Sequence, residues 1–85
     1  MIEIALKRKG IAGENYKKAV VYCKVISNIY HSKFPREGAT RKEIYTILRK
    51  QYKNISVDEI SRFLQYLKDN KLILNFDNEH WVVII

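Results

Sequence analysis

Apolar residues recur at helical spacing in three stretches of the chain, and each stretch predicts an amphipathic helix. From Val57 to Asp69, Ile60, Phe63, Leu64 and Leu67 fall on one side of a helical wheel, with Asp58, Ser61, Arg62, Gln65 and Asp69 on the other. From Arg41 to Lys53, Ile44, Ile47, Leu48 and Tyr52 form the apolar stripe. From Asn15 to Ser32, one stripe contains Tyr16, Ala19, Val20, Cys23, Ile26 and Tyr30. A second stripe, roughly opposite, contains Val21, Val25 and Ile29. A helix that is apolar on two sides is buried on both, and 85 residues leave little to cover the second side. Val21, Val25 and Ile29 therefore read as a homodimer interface or as a surface closed by the N-terminal segment.

Start and stop signals set the boundaries. Thr40 with Glu43, and Ser56 with Glu59, have the spacing of a capping box, in which the hydroxyl accepts the third amide and the carboxylate reaches back. Pro35 ends the first helix and Gly38 permits the turn before the second. Only Asn54 and Ile55 separate the second helix from Ser56, so the last two helices meet at a tight corner, a helix-turn-helix geometry. Asn70 suits the left-handed position that closes the third helix.

Beyond Asn70, Leu72-Ile73-Leu74 and Trp81 to Ile85 are strand-prone, and Asp77-Asn78 between them predicts a hairpin over 71–85. The last five residues have no polar side, so that strand is expected to be covered on both faces. At the other end, Ile2, Ile4 and Leu6 alternate with Glu3 and Ala5, and Lys7-Arg8-Lys9 follows. Residues 1–13 thus read as an edge strand or a basic arm. The chain is expected to be a single α+β domain, mainly α.

A formal net charge of +7 favours a polyanionic partner, with nucleic acid ahead of an acidic membrane surface. No run approaches the length of a membrane span, and the first residues lack the pattern of a signal peptide. Cys23 is the only cysteine, which excludes an intrachain disulfide and points to a reducing, intracellular compartment. Catalysis finds little support, because no nucleophile set, phosphate-cradling glycine loop or carboxylate pair is present. Strand alternation sends Glu79 and His80 to opposite faces, so no metal site is expected there and no cofactor is implied. His31 falls where a helix dipole favours a cation, and Trp81 reads as core.

The order of helix, capped helix, tight turn, capped helix and hairpin resembles the winged helix-turn-helix DNA-binding domains of small transcriptional regulators. The residues that carry the likeness are Ala39-Thr40-Arg41-Lys42-Glu43-Ile44 and, further on, Ser56-Val57, Ile60, Leu64, Leu67-Lys68 and Lys71-Leu72-Ile73. The family usually has glycine where Lys71 stands, which shifts the expected left-handed turn to Asn70. The lysine, isoleucine and tyrosine content is also similar to that of small proteins of hyperthermophilic archaea or their viruses.

The resemblance implies that the helix from Val57 to Asp69 enters the major groove of double-stranded DNA, with the hairpin as the wing. Ser61, Arg62, Gln65 and Tyr66 would then face the bases, Arg62 suited to guanine and Gln65 to adenine. Charge complicates this docking. Residues 1–33 carry seven basic and two acidic side chains, 34–55 six and two, and 56–85 three and five. Phosphate contacts are therefore expected from Arg41, Lys42, Arg49, Lys50 and Lys53, from Lys7, Arg8 and Lys9, and from the amides at Thr40, with Arg36, Lys17 and Lys18 nearby. Asp77 and Glu79 make the wing tip acidic. The leading expectation is a sequence-specific DNA-binding regulator acting as a homodimer. The alternative is a winged-helix module that docks a basic protein or binds nucleic acid without sequence preference.

Overall fold

The computed structural model describes residues 2–85 and contains four helices and a three-stranded antiparallel sheet. In chain order these are α1 (Ile2–Arg8), α2 (Gly13–Ser32), β1 (Ala39–Thr40), α3 (Arg41–Gln51), α4 (Val57–Asp69), β2 (Ile73–Asn75) and β3 (His80–Val83). The class is α+β, mainly helical.

The N-terminal segment is a helix, not the expected strand or arm; Met1 lies outside the described residues. The alternation of Ile2, Ile4 and Leu6 hides a helical pair: Leu6 is fully buried and Ile2 packs on the core one turn earlier, while Ile4 faces outward. A glycine stop completes the helix. Gly10 is left-handed at φ +75°, its amide donates to the Lys7 carbonyl at 3.0 Å, and the Ile11 amide donates to the Leu6 carbonyl at 3.1 Å. This double bond places Ile11, itself buried, beside Leu6.

α2 is the central element and contacts α1, α3, β1 and β3. Val25 and Ile29 are each only 6 % exposed within the single chain, and Val21 packs against the same core. On the side expected to meet a second subunit, Val25 and Ile29 are thus closed by the chain's own elements, and Val21 is half-buried against them. Tyr22, absent from both expected stripes, is fully buried between them.

α3 and α4 follow the expected pattern, with Ile44 and Leu48 of the first and Ile60, Leu64 and Leu67 of the second buried together. The Thr40 box is complete: Thr40 Oγ1 accepts the Glu43 amide, and the Glu43 carboxylate accepts the Thr40 amide at 2.9 Å. At Ser56 only half forms. Its hydroxyl accepts the Glu59 amide at 3.1 Å, and no return bond is made by the exposed Glu59 carboxylate. Between the helices, the Ile55 amide donates to the Tyr52 carbonyl and the Ile55 side chain is buried, which anchors the corner.

The turn out of α4 differs from expectation. Asn70 has φ −88°, and Lys71 takes the left-handed conformation at φ 59°. The Lys71 amide bonds the Lys68 carbonyl and the Leu72 amide bonds the Leu67 carbonyl, which repeats the stop of α1 with lysine in place of glycine. Asn70 contributes otherwise: its Nδ2 donates to the Tyr66 carbonyl at 2.9 Å.

β3 is the middle strand, with β1 on one side and β2 on the other. Ala39 opposes Trp81, Thr40 opposes His80, and Leu74 opposes Val82. Trp81, Ala39 and Ile73 are buried and Val83 packs on the core, whereas Leu74 is exposed and Val82 half-buried. The sheet is covered on one face only, contrary to the expectation for the terminal strand, and Ile84 and Ile85 remain 51 % and 42 % exposed. Gly38 enters the sheet at φ +89°; an added Cβ there would lie 3.0 Å from the Trp81 carbonyl oxygen.

Candidate nucleic-acid interface

α4 presents a polar side that no other element covers. Arg62, Gln65, Lys68 and Asp69 are exposed, and Ser61 is half-buried. Gln65 is already engaged, donating through Nε2 to Asp69 Oδ1 at 2.8 Å. Reading a base would require it to exchange that bond. Tyr66 is not presented outward with the others. Its ring packs 5.3 Å from Phe63, whose ring lies 4.6 Å from buried Tyr22. Lys18 closes the row 5.7 Å above the Phe63 ring. This aromatic row joins α4 to α2 and fixes which side of α4 is left for solvent.

α3 carries the denser charge. Arg41, Lys42, Arg49, Lys50 and Lys53 are all exposed, and among the described residues none has a carboxylate within 4.0 Å. Lys42, Thr46, Arg49 and Lys53 succeed one another at intervals of three and four, so they form one row along the helix and its C-terminal turn. Arg49 lies 5.5 Å from the Tyr45 ring, which restrains the guanidinium without neutralising it. The spacing of Tyr45 and Arg49, four residues apart, was the available signal for this contact.

At the head of the row, the Glu43 carboxylate accepts hydrogen bonds from Thr40 Oγ1 at 3.0 Å and Lys33 Nζ at 2.6 Å. Burial favours its protonated form, but these bonds and that to the Thr40 amide outweigh burial and hold its pKa below the ordinary carboxylate value. The same Lys33 ammonium donates to the Gly38 carbonyl at 2.7 Å and closes the loop between α2 and β1. Phe34, within that loop, is 98 % exposed. Sequence periodicity passes over it, because a loop has no face on which to score an apolar residue.

Lys7, Arg8 and Lys9 are exposed at the C-terminal end of α1, where the helix dipole favours them. They belong to a second basic group, carried by a different element that also packs on α2. The hairpin tip is acidic. Asp77 and Glu79 are exposed, and Asp77 turns back on its own loop, accepting the Glu79 and His80 amides and approaching His80 Nδ1 to 2.6 Å.

Elsewhere the chemistry is quiet. Among the described residues no group of three His, Cys, Asp or Glu side chains can hold a metal ion, and no helix is long and apolar enough to cross a membrane. His31 Nδ1 lies 3.1 Å from the Ser27 carbonyl, within its own helix. Burial pushes the Cys23 thiol up to about 11, the opposite of what a nucleophile needs. No family model, curated protein or solved structure matches the chain.

Proposed function

We propose that the chain is a sequence-specific double-stranded DNA-binding domain of the winged helix-turn-helix type. α4 is the reading helix and α3 holds the phosphate backbone. The observation that carries this reading is the division of labour at one corner: α4 leaves Arg62 and Gln65 exposed on a side no element covers, and adjoining α3 with its C-terminal turn carries five cations that have no acidic partner among the described residues. Phosphate contacts position a protein on a duplex and base contacts specify the sequence, and the two helices supply one class each.

The order of capped helix, anchored turn, capped helix and hairpin adds support. The acidic tip at Asp77 and Glu79 assigns the wing no phosphate contact. Tyr66 leaves the set of base-reading residues because its ring packs on Phe63. The reading needs no homodimer through Val21, Val25 and Ile29, since Val25 and Ile29 are buried in the chain's own core and Val21 packs against it.

Duplex binding measured by anisotropy across a salt series, after selection from random sequence, tests the proposal. Arg62→Ala is expected to relax preference at one base position, at a cost of about 1–3 kcal/mol on the preferred site. Lys42→Ala is expected to weaken all duplexes alike and to lower the salt slope by about one. Equal effects of both variants on every sequence would exclude α4 as a reading helix. A second reading, a module that docks a basic protein, draws on the exposed acidic tip; failure to bind any duplex at low salt selects it.

A further inference from the structure

Phe34 is the most exposed large apolar side chain among the described residues, and its position is built rather than loose. Lys33, the residue before it, is held to Glu43 and to the Gly38 carbonyl, so the loop is tied at both ends to the start of α3. Gly38 is buried against β3, which fixes the far end of the loop. Ser32, two residues upstream, lines the same surface recess as Lys42 and Thr46, which places the loop at the head of the basic row. Burying a phenylalanine stabilises a fold, and this chain instead leaves the ring in solvent near the N-terminal end of α3, where Arg41 and Lys42 are exposed.

The surroundings define what the ring suits. Arg36, Arg41 and Lys42 are exposed close by in sequence and charge the surface positively; Glu37 is the single exposed carboxylate of the loop. An exposed apolar ring with cations close by along the chain matches a polyanion with an apolar interior, and duplex DNA has that construction: stacked bases between two rows of phosphate.

We propose that Phe34 is a wedge that enters the base stack of the bound duplex at the edge of the site, unstacking one step and bending the DNA, while Arg36, Arg41 and Lys42 hold the flanking phosphates. The inference rests on the DNA-binding reading above and adds to it a deformation and a sequence bias. Pyrimidine–purine steps unstack most readily, so the protein prefers one at the position facing Phe34 without making a hydrogen bond to it.

The test uses the full chain and a selected duplex with 2-aminopurine at successive edge positions and a fluorophore pair on its ends. The wild type is expected to brighten 2-aminopurine at one step and to shorten the end-to-end distance. Phe34→Ala is expected to abolish both and to raise Kd about 5- to 150-fold, while Phe34→Leu retains part of each. Both variants should melt like the wild type, since the ring contributes almost nothing to the core. If Phe34→Ala binds, brightens and bends like the wild type, the wedge is overturned and the DNA-binding reading stands. If the wild type binds no duplex at low salt, that reading falls and takes the wedge with it. Binding to phosphatidylserine vesicles that is lost in Phe34→Ala would then assign the ring to an anionic membrane instead.

Discussion

The Lys33 ammonium lies 2.6 Å from the Glu43 carboxylate, and the same carboxylate caps α3 through the Thr40 amide and hydroxyl. One acidic group thereby joins the loop after α2 to the start of the basic helix. Because these bonds hold its pKa below 4.5 in the folded chain, the stabilisation they give is fully present above about that pH. It is lost as the pH falls through the lowered folded value. Thermal melts from pH 7 to pH 3 are expected to show a fall that is shallower in Glu43→Gln than in the wild type. At pH 7, Thr40→Ala is expected to cost about 1 kcal/mol, the usual value for a lost cap.

Lys71 stands in a conformation that disfavours any side chain. A left-handed residue other than glycine costs about 1–2 kcal/mol, and glycine returns part of that gain through the freedom it adds to the unfolded chain. Lys71 is exposed and has no ion pair among the described residues, so removing its side chain sacrifices little. Lys71→Gly is expected to stabilise the protein by about 0.5–1 kcal/mol in urea melts. Asn70→Gly should not do so, because Asn70 has negative φ and its side chain bonds the Tyr66 carbonyl. The reverse ranking would return the turn to Asn70.

What the sequence disclosed and what it hid follow from the range of the interactions. α4 and the start of α3 were legible because caps and helical spacing are local: Thr40 and Glu43 find each other within one turn. α1 is hidden in the sequence because its alternating residues satisfy a strand and a helix equally, and the choice is made by Leu6 and Ile11 meeting across Gly10. β1 is two residues long and exists only through pairing with His80 and Trp81, some forty positions away. The second stripe of α2 is legible as apolar, but its cover, supplied by other elements of the same chain, has no signature within the helix itself. In the candidate site, exposure of Arg62 and of the α3 cations was legible from the helical wheel. The packing of Tyr66 and the tethering of Phe34 were not, since both depend on contacts between elements.

Cys23 gives a simple check on the packing around α2. It is fully buried, and burial raises its thiol to about 11, so at pH 8 the side chain is both hidden and protonated. A thiol reagent such as dithionitrobenzoate is expected to label the native protein only as fast as the molecule opens, and to label it at once in urea. Rapid labelling of the native chain would show that α2 is not enclosed as described.

The β2–β3 pair offers the sharpest test of the sheet, because residues on it meet opposite environments. Trp81 is 5 % exposed and belongs to the core, while Leu74, paired with Val82 across the strands, is 44 % exposed. Trp81→Ala removes a large buried ring and is expected to cost about 3–5 kcal/mol. Leu74→Thr keeps a strand-compatible, branched side chain on the open face and is expected to change stability by no more than about 0.5 kcal/mol. Chemical denaturation of the two variants at several protein concentrations distinguishes the possibilities. A large, concentration-dependent loss in Leu74→Thr would mean that a second copy covers the outer face, and comparable losses in both variants would contradict a sheet buried on one side only.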